Sequence, residues 1–483
     1  MILKMNHLHG QNAAAGAQEV VGAIYSLLED GQIDPNEFGR LQIVLDWIEY
    51  EYNFREVVTT TQVHNARGET EPVMDVHVDT RQVVPGCLRA EILRSLSRAN
   101  IEMPDLVQDR LPLEDFQAPR TSILWQFNRL YWNRLKDWED VPNASFEPTR
   151  TDGSDGSQPQ AIADAVGDFW TLLRDCDAKK QLPQEIFLLE IGRGTATRCG
   201  LWLDKFRELD QRRKTNYYPK LRVLVGDYSA AALEISRSAI KGHADLCSFV
   251  VLDALNPLKD LSHLRHKIFR VHLTNVYDNL PDEEMVQRDG HLYFVQVRAY
   301  IPMPEVTRIA VEFARPAEEI RSVVDHILDG GLDDFGSRAR GVALWQQIWK
   351  AIRLEERLIP LEDILDFAFP EGLDAAKLEA ILEEAPGDFR FHLSSGAMAS
   401  FLNTLPLLHP RGYVQAQDCF VTELAQYRMG FYGPGKLSGS VLNWVNGALL
   451  REVAERAGYD VHFAPFHYRK ESRSSILYTT RRE

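Results

Sequence analysis

Cysteine is scarce in this sequence of 483 residues, and its five cysteines form no recognisable pattern. They are Cys87, Cys176, Cys199, Cys247 and Cys419, and no two of them make a Cys-x-x-Cys pair. A structural zinc site or a disulfide framework needs closely grouped thiols. The histidines form no metal-ligand motif either. The sequence therefore predicts reduced thiols, as in the cytoplasm, and no metal site.

A long apolar run is also missing, and basic residues are in deficit. No uninterrupted apolar stretch could cross a bilayer, and the N-terminus lacks the pattern of a signal peptide. The chain has 54 Lys and Arg against 70 Asp and Glu, so its formal net charge is −16. A negative surface does not attract nucleic acid or anionic membranes. We therefore expect a cytoplasmic protein that binds neither.

One stretch has the pattern of a ligand-binding turn. An apolar run from Phe187 ends in Glu190, and Gly192 and Gly194 follow at alternate positions before an amphipathic segment. This pattern indicates a buried strand, a tight turn and a helix. Glycine lets a ligand approach the backbone closely, and the N-terminus of the helix offers free N–H groups to an anion.

Three further apolar runs end in polar residues. They cover residues 221–225, 248–252 and 268–273, and they lead into Asp227-Tyr228, Asp253-Ala254 and Thr274-Asn275. Four such strands are typical of a doubly wound parallel sheet, in which ligands bind in the crevice outside the carboxyl ends of the strands. The sequence therefore predicts an α/β fold with a ligand site at that edge.

The rest of the chain divides into four predicted units. Residues 1–150 form a mixed α+β region, with helices over 17–28 and 37–52 and a hairpin over 57–78. A polar linker leads to the first part of the sheet domain, residues 161–301, whose last strand covers 292–301. Residues 302–390 are a helical insertion. Residues 391–483 complete the sheet and end in two strands, 459–465 and 475–480, which we expect to be antiparallel.

These residues resemble the class I S-adenosylmethionine-dependent methyltransferases, whose Rossmann-like sheet has seven strands and ends in an antiparallel pair. Glu190-Ile-Gly-Arg-Gly looks like the first motif of that family. More narrowly, the chain is similar to the MidA-type methyltransferases, which are linked to assembly of respiratory complex I. Residues 274–281 look like their Asn-Glu-Phe-Phe-Asp-Ala-Leu-Pro motif, and residues 439–446 match a later segment. The resemblance covers roughly residues 161–480.

The resemblance implies S-adenosylmethionine as cofactor, held by its methionine end, ribose and adenine in turn. The residues implied to bind it are Glu190, Gly192, Gly194, Asp227, Tyr228, Asp253, Ala254 and Asn275. Asn275 and Asp278 follow the fourth strand, where the family places the methyl acceptor, so we predict that they are catalytic. A sulfonium methyl is already activated, so positioning supplies much of the rate, and Asp278 could bind or deprotonate the acceptor.

Each of these assignments has a structural alternative. Glu190 could pair with Arg193 or Arg198, because a buried carboxylate needs a partner. Asp227 could cap the next helix, a role that Ser229 could also fill, and Asp253 could belong to a simple turn. Asp278 could be a solvated loop carboxylate. The flexible stretch 430–439 could be a lid or a surface loop.

Three functions follow, in decreasing order of support. The first is methyl transfer to a protein side chain or a small molecule. The second is a catalytically silent relative that acts as a binding or assembly factor, because Val276 replaces a motif glutamate and puts protein-arginine methylation in doubt. The third is a nicotinamide-dependent oxidoreductase, disfavoured because Thr197 stands where that fingerprint needs a small residue. The sequence leaves the acceptor and a homodimer open.

Overall fold

The computed structural model describes residues 2–5, 13–46, 54–64, 70–79, 86–99, 109–142, 158–192, 195–361, 364, 367–431, 433–470 and 472–482. These residues form two large sheets with helices packed against them, so the predicted mixed α/β class is confirmed. No helix of the described ranges is long and apolar enough to cross a membrane.

The strands are numbered in chain order. They are β1 (Ile2–Met5), β2 (Leu41–Asp46), β3 (Val58–His64), β4 (Thr70–Asp79), β5 (Arg110–Pro112), β6 (Ile186–Ile191), β7 (Leu221–Asp227), β8 (Cys247–Val251), β9 (Ile268–Thr274), β10 (Glu284–Arg288), β11 (His291–Pro302), β12 (Arg353–Pro360), β13 (Phe389–His392), β14 (Leu408–Asp418), β15 (Phe420–Val421), β16 (Gly435–Leu437), β17 (Ser440–Leu442), β18 (Val445–Asn446), β19 (Tyr459–Pro465) and β20 (Ser475–Arg481).

The helices are numbered in the same way. They are α1 (Ala13–Glu29), α2 (Pro35–Arg40), α3 (Leu88–Ala99), α4 (Ile123–Asn133), α5 (Leu135–Asp140), α6 (Pro159–Ala178), α7 (Thr195–Arg213), α8 (Ala230–Ala239), α9 (Pro257–Leu261), α10 (Met303–Phe313), α11 (Ile320–Leu328), α12 (Arg338–Ala351), α13 (Ala375–Glu384), α14 (Ser395–Thr404) and α15 (Gly447–Arg456).

The first large sheet has seven strands in the order β19-β20-β14-β9-β6-β7-β8. The strands from β14 to β8 are parallel, and β20 runs antiparallel to both of its neighbours. Because the carboxyl ends of parallel strands meet at one edge, this order brings together the loops after β6, β7, β9 and β14. The order of the strands reverses between β6 and β9, and a crevice at such a point is where doubly wound sheets bind ligands.

Helices cover both faces of this sheet and fix its position. Side chains of α6 and α7 pack on one face, where the ring centroids of Phe169, Trp202 and Phe206 lie 5.1 to 5.9 Å apart. Helices α14 and α15 pack on the other face around Phe401 and Leu449. The result is a three-layer unit with the sheet as its middle layer.

The second large sheet joins distant parts of the chain. Its strands run β1-β2-β4-β3-β12-β11-β10-β13, and β5 pairs with β11. Strands β1 to β5 precede the first sheet in the chain, whereas β10 to β13 lie between β9 and β14. The N-terminal region and the insertion therefore share one sheet, and α4, α5, α10, α11 and α12 pack against it.

Three predictions differ from this arrangement. The predicted helix over residues 37–52 is instead the end of α2 followed by β2, and residues 47–53 lie outside the described ranges. The insertion predicted as helical, 302–390, also contains β12 and β13, and the predicted strand 292–301 belongs to the second sheet. The predicted hairpin over 57–78 is confirmed as the antiparallel pair β3 and β4.

Candidate functional site

The turn after β6 brings two chain segments into close contact. Gly192 has a φ of 99°, a conformation that favours glycine, and its N–H donates to the carbonyl of Gly226 over 2.9 Å. A Cβ on Gly192 would lie 2.9 Å from Cγ2 of Val276, so the loop after β9 packs directly on this turn. Helix α7 starts three residues later at Thr195, whereas Gly194 lies outside the described residues.

Asp227 ends β7 at the edge next to this turn. Its side chain is buried, and Oδ1 accepts a hydrogen bond of 2.8 Å from the N–H of Ser229. Ser229 itself caps α8, because its Oγ accepts from the N–H of Ala232 at 3.3 Å. The capping role that the sequence left open for Asp227 thus belongs to Ser229.

Helix α4 from the N-terminal region covers Tyr228. Asn133, the last residue of α4, donates from Nδ2 to the hydroxyl of Tyr228 over 3.3 Å. Its carbonyl accepts from Oγ of Ser229 at 3.4 Å, and the Arg129 guanidinium lies 5.8 Å from the centre of the Tyr228 ring. One end of α4 therefore lies beside Asp227 at the carboxyl edge of the sheet.

Asp253 and Ala254 form the turn after β8. Oδ1 of the exposed Asp253 accepts from the N–H of Leu255 over 2.9 Å, and Ala254 is half-buried against the core of the sheet. Asn256 then caps α9 by accepting from the N–H of Lys259 at 3.2 Å. The alternative of a hydrogen-bonded turn at Asp253 is therefore realised, with the carboxylate at the surface.

Asn275 follows β9 in an uncommon backbone conformation. Its φ is 51°, in the left-handed region, where asparagine is more tolerated than most residues. Its N–H donates to the carbonyl of Gln417 over 2.9 Å, while the residue itself is exposed. Strained residues of this kind are concentrated at functional sites.

Asp278 is buried, not a solvated loop carboxylate as one alternative supposed. Its side chain is 1% exposed, and Oδ1 accepts from Nδ2 of Asn279 at 2.7 Å. The turn that carries it is held by Asp418, whose Oδ2 accepts from the N–H groups of Val276 at 3.1 Å and Tyr277 at 2.9 Å.

Burial and proximity raise the pKa of both carboxyl groups. Burial raises the pKa of Asp278 well above its usual range, and the nearby Asp418 carboxylate raises it further. Burial likewise raises the pKa of Asp418 to about 6, although four backbone N–H groups favour its charged form. The raised pKa of Asp278 favours its protonated carboxyl group, which can donate a hydrogen bond.

The sequence analysis did not include Asp418 among the site residues. The sequence pattern could have indicated this residue. Asp418 ends β14, the fifth parallel strand in chain order, just as Asp227 ends β7, the second. Asp278, Asp418 and Cys419 also bring their ligand-type atoms within 4.8 Å of one another. Both oxygens of Asp418 already accept backbone N–H groups, which leaves this cluster poorly suited to a cation.

Glu190 lies between two buried arginines. Its Oε1 is 3.2 Å from Nη1 of Arg270 on β9, and its Oε2 is 3.7 Å from Nη1 of Arg198 on α7. The pairing with Arg198 was one alternative from the sequence, whereas Arg270 was not expected. Burial raises the pKa of Glu190, and the two arginines act in the opposite direction.

The loop 430–439 is anchored at several points, which argues against a free lid. The Gly433 N–H donates to Oε1 of Glu284 over 2.6 Å. Nζ of the buried Lys436 donates to the carbonyls of Trp349 and Ile352, each at 2.7 Å, at the C-terminal end of α12. Nε1 of Trp349 donates in turn to the carbonyl of Ser438 at 2.8 Å.

Comparisons of the whole chain with known proteins give matches among solved structures. No protein-family model and no curated protein matches the sequence. One similar structure is a proposed methyl transferase from Burkholderia thailandensis bound to S-adenosyl-homocysteine, at 13% identity and a TM-score of 0.46 over 83% of this chain and 95% of that one.

Two further structures illustrate the range of these matches. An uncharacterised protein from Burkholderia thailandensis matches at 13% identity and a TM-score of 0.43, again over 83% of this chain and 95% of that one. The [4+2]-cyclase SpnF matches at 9% identity and a TM-score of 0.32, over 76% of this chain and 99% of that one.

Proposed function

We propose that this chain is an S-adenosylmethionine-dependent methyltransferase that acts on a protein side chain or a small molecule. The observation that carries the proposal is the order β19-β20-β14-β9-β6-β7-β8, with β20 antiparallel. This arrangement is the one that the resemblance in the sequence implies for the methyltransferase sheet. In this proposal the cofactor lies at the carboxyl ends of β6 and β9, where the order of the strands reverses.

The residues at this edge fit the chemical parts of the cofactor. Gly192 allows close approach to the turn, and the buried carboxylate of Asp227 suits the ribose hydroxyls. In this proposal Glu190, Gly194, Tyr228, Asp253, Ala254 and Asn275 complete the cofactor site. When bound, S-adenosylmethionine supplies an activated methyl group, so the protein must chiefly align the acceptor with it.

Asn275 and Asp278 would act on the acceptor from the loop after β9. The exposed Asn275 side chain can orient a nucleophile by hydrogen bonding. Burial raises the pKa of Asp278, so its carboxyl group can donate a hydrogen bond while protonated and take up a proton from the acceptor while ionised.

A second candidate function is a catalytically silent protein that binds a partner or assists assembly. The burial of Asp278 at 1% exposure favours it, because a group sealed from solvent needs a rearrangement to reach an acceptor. The position of Val276 against Gly192 adds to this, since no carboxylate replaces the glutamate of the motif there. Both candidates would bind the cofactor at this edge of the sheet. Only the methyltransferase would transfer the methyl group to an acceptor.

Calorimetric titration with S-adenosylmethionine, with NADH as a comparison ligand, tests the proposal. We expect saturable binding of S-adenosylmethionine only, and loss of that binding in Asp227→Ala. Asp245→Ala is the matched control. Asp245 is exposed and lies just before the amino end of β8, whereas Asp227 lies at the carboxyl end of β7. A folded protein that binds neither ligand would refute the proposal, whereas binding without methyl transfer to any acceptor fraction would favour the silent candidate.

A further inference from the structure

A cluster of buried charges lies where the loop after β9 enters the second sheet. Its five members come from that loop and from β10, β12 and β13, and they are Asp282, Glu284, Glu356, Arg390 and His392. None of these side chains is more than 11% exposed. Charges at such depth depend on each other, because water does not stabilise them.

Two of the three carboxylates in this cluster have arginine partners. Nη1 of Arg390 donates to Oε2 of Glu356 over 2.7 Å, and its Nη2 contacts Oε2 of Glu284. Nη2 of Arg55, from the segment before β3, lies 3.7 Å from Oε1 of Glu356. The two guanidinium groups therefore balance two carboxylates and leave one.

His392 supplies the remaining positive charge. Its Nδ1 lies 2.8 Å from Oδ2 of Asp282, and its Nε2 lies 3.6 Å from Oε1 of Glu284. Burial lowers the pKa of His392, but Glu284 and then Asp282 outweigh this effect, so the pKa lies above its usual range. Burial raises the pKa of Asp282, and the charge of His392 opposes that. The cluster is neutral while the imidazole is protonated and becomes negative when the proton leaves.

Other ionisable groups near His392 leave this balance unchanged. Glu283 pairs on the solvent side with Arg120, whose Nε lies 3.1 Å from Oε1 of Glu283. The ring of the buried Tyr427 lies 6.1 Å from the imidazole ring. Tyr427 stays neutral, because burial and then Asp282 hold its pKa well above the usual range. The charge of the cluster therefore follows the proton on His392.

Asn443 connects this cluster to the backbone of Asp278. A cavity of about 20 Å³, room for one water molecule, is lined in part by Asp282, His392 and Asn443. Asn443 is 5% exposed, and its N–H donates to the carbonyl of Asp278 over 2.8 Å. The loop after β9 thus borders the imidazole both through Asp282, which belongs to it, and through Asn443, which holds it.

We propose that His392 is a positioning residue that holds the loop after β9 while it carries its proton and releases this loop when the proton leaves. An uncompensated buried charge is costly, so loss of the proton draws water into the cavity and loosens Asp282 and Asn443. The loop is held below pH 6.5, the ordinary pKa of histidine, and it loosens as the pH rises through the raised pKa. The inference goes beyond the proposed function, because it does not require the cofactor to bind.

Amide hydrogen exchange over residues 276–282 from pH 6 to pH 9, corrected for the intrinsic effect of pH on exchange, tests the inference. In the wild type the corrected rate should rise roughly 10-fold, the change that corresponds to a pKa shift of one unit. His392→Gln has no imidazole to protonate, so its exchange should be fast at every pH. His392→Lys keeps a positive charge between the carboxylates, so its exchange should stay slow at every pH.

His462→Gln is the matched control, because His462 is exposed on β19 of the first sheet. It should follow the wild type. Equal pH dependence in the wild type, His392→Gln and His392→Lys would overturn the inference, since another group such as Asp278 would then be responsible. Exchange that accelerates equally along the whole wild-type chain would also overturn it, because the protein would then unfold as one unit.

The imidazole resonance of His392 keeps the test decisive if His392→Gln does not fold. Its nuclear magnetic resonance signal is identified by its absence from His392→Lys, and we expect a titration midpoint above 6.5. A midpoint at or below that value would overturn the inference. A protein that does not bind S-adenosylmethionine would refute the proposed function and leave these measurements to decide the role of His392.

Discussion

Asp418 accepts hydrogen bonds from the backbone of the turn that carries Asp278, so one carboxylate joins the ends of β14 and β9. Three consecutive N–H groups point to its Oδ2, from Val276, Tyr277 and Asp278, at 3.1, 2.9 and 3.4 Å. The two side chains share a buried site, and burial raises the pKa of both carboxyl groups. The position of the loop after β9 therefore depends on a group that titrates in the acidic range.

Asp278→Asn should change how stability depends on pH. The pKa of Asp278 is raised in the folded protein, so the folded state holds a proton that the unfolded chain releases near pH 4. Its contribution to stability is complete below that pH and is lost as the pH rises. Asparagine does not titrate. As the pH rises, the free energy of unfolding of the variant should therefore increase relative to that of the wild type, by at most about 1.4 kcal/mol per pH unit.

Urea unfolding at pH 4, 6 and 8 measures this difference in the free energy of unfolding. Asp245→Asn is the control, because Asp245 is exposed and its substitution should leave the pH dependence of the wild type unchanged. Parallel curves for Asp278→Asn and the wild type over this range would show that the carboxyl group of Asp278 is not held in its protonated form.

Arg270→Leu should destabilise the protein strongly. It removes the closest partner of Glu190 and leaves a buried carboxylate with only the longer contact to Arg198. Breaking a buried pair in this way costs roughly 3 to 5 kcal/mol. The double variant Glu190→Gln with Arg270→Leu should lose less than the sum of the single losses, because the contact between Glu190 and Arg270 can be lost only once.

Denaturant unfolding of the four proteins in this cycle gives the coupling free energy. Arg222→Leu on β7 is the matched control, since Arg222 pairs with Glu185 at 3.0 Å on the surface and should cost no more than about 1 kcal/mol. If the losses of Glu190→Gln and Arg270→Leu simply add, the two side chains do not depend on each other.

Lys436→Met should loosen the loop 430–439. The amino group of Lys436 donates to the carbonyls of Trp349, Lys350 and Ile352 at the C-terminal end of α12. Methionine fills a similar volume and leaves these buried carbonyls without their donor, at a cost of roughly 1 to 3 kcal/mol.

Limited proteolysis checks this prediction together with thermal unfolding. The variant should be cleaved faster within the loop, whereas Lys470→Met, at an exposed position, should behave as the wild type does. A lower melting temperature without faster cleavage in the loop would mean that Lys436 stabilises α12 and does not hold the loop.

Asn128→Ala should release the loop after β9 from the N-terminal region. Nδ2 of Asn128 on α4 donates to the carbonyl of Asn279 over 3.0 Å, and its Oδ1 accepts from the N–H of Val441 over 3.0 Å. Alanine removes both bonds, so amide hydrogen exchange should become faster over residues 276–282 and 440–446.

Gln126→Ala is the control for that measurement, because Gln126 is exposed on the same helix. It should leave exchange in both segments unchanged. Unchanged exchange in Asn128→Ala would show that the packing of α4, and not this side chain, holds the loop in place.

Local patterns predicted the first sheet well, because its strands are short apolar runs with clear ends. The last two strands were expected at 459–465 and 475–480 and are found as β19 and β20 within one residue. The second sheet was harder. The segment of β12, Arg-Leu-Glu-Glu-Arg-Leu-Ile-Pro, is rich in residues that favour helices, yet it fills the gap between β3 and β11. Tertiary contacts override local preference there.

The site shows the same division between local and distant signals. Gly192 and Asp227 were identified because each lies at the end of its own strand. Arg270 was missed, although an arginine inside an apolar strand needs a counter-charge, and the sequence does not tell which carboxylate supplies it. The roles predicted for Asn275 and Asp278 in catalysis stay predictions.

The pairing of β3 with β12 has a consequence for how the chain is synthesised. Gln62 and Arg357 are partners in that pair, so β3 leaves the ribosome roughly 300 residues before its neighbour exists. At ordinary translation rates this delay lasts about 15 to 60 seconds. During that time the nascent chain exposes an open strand edge that other polypeptides can join. Chaperone binding to the growing chain would then be concentrated on the segment of β3.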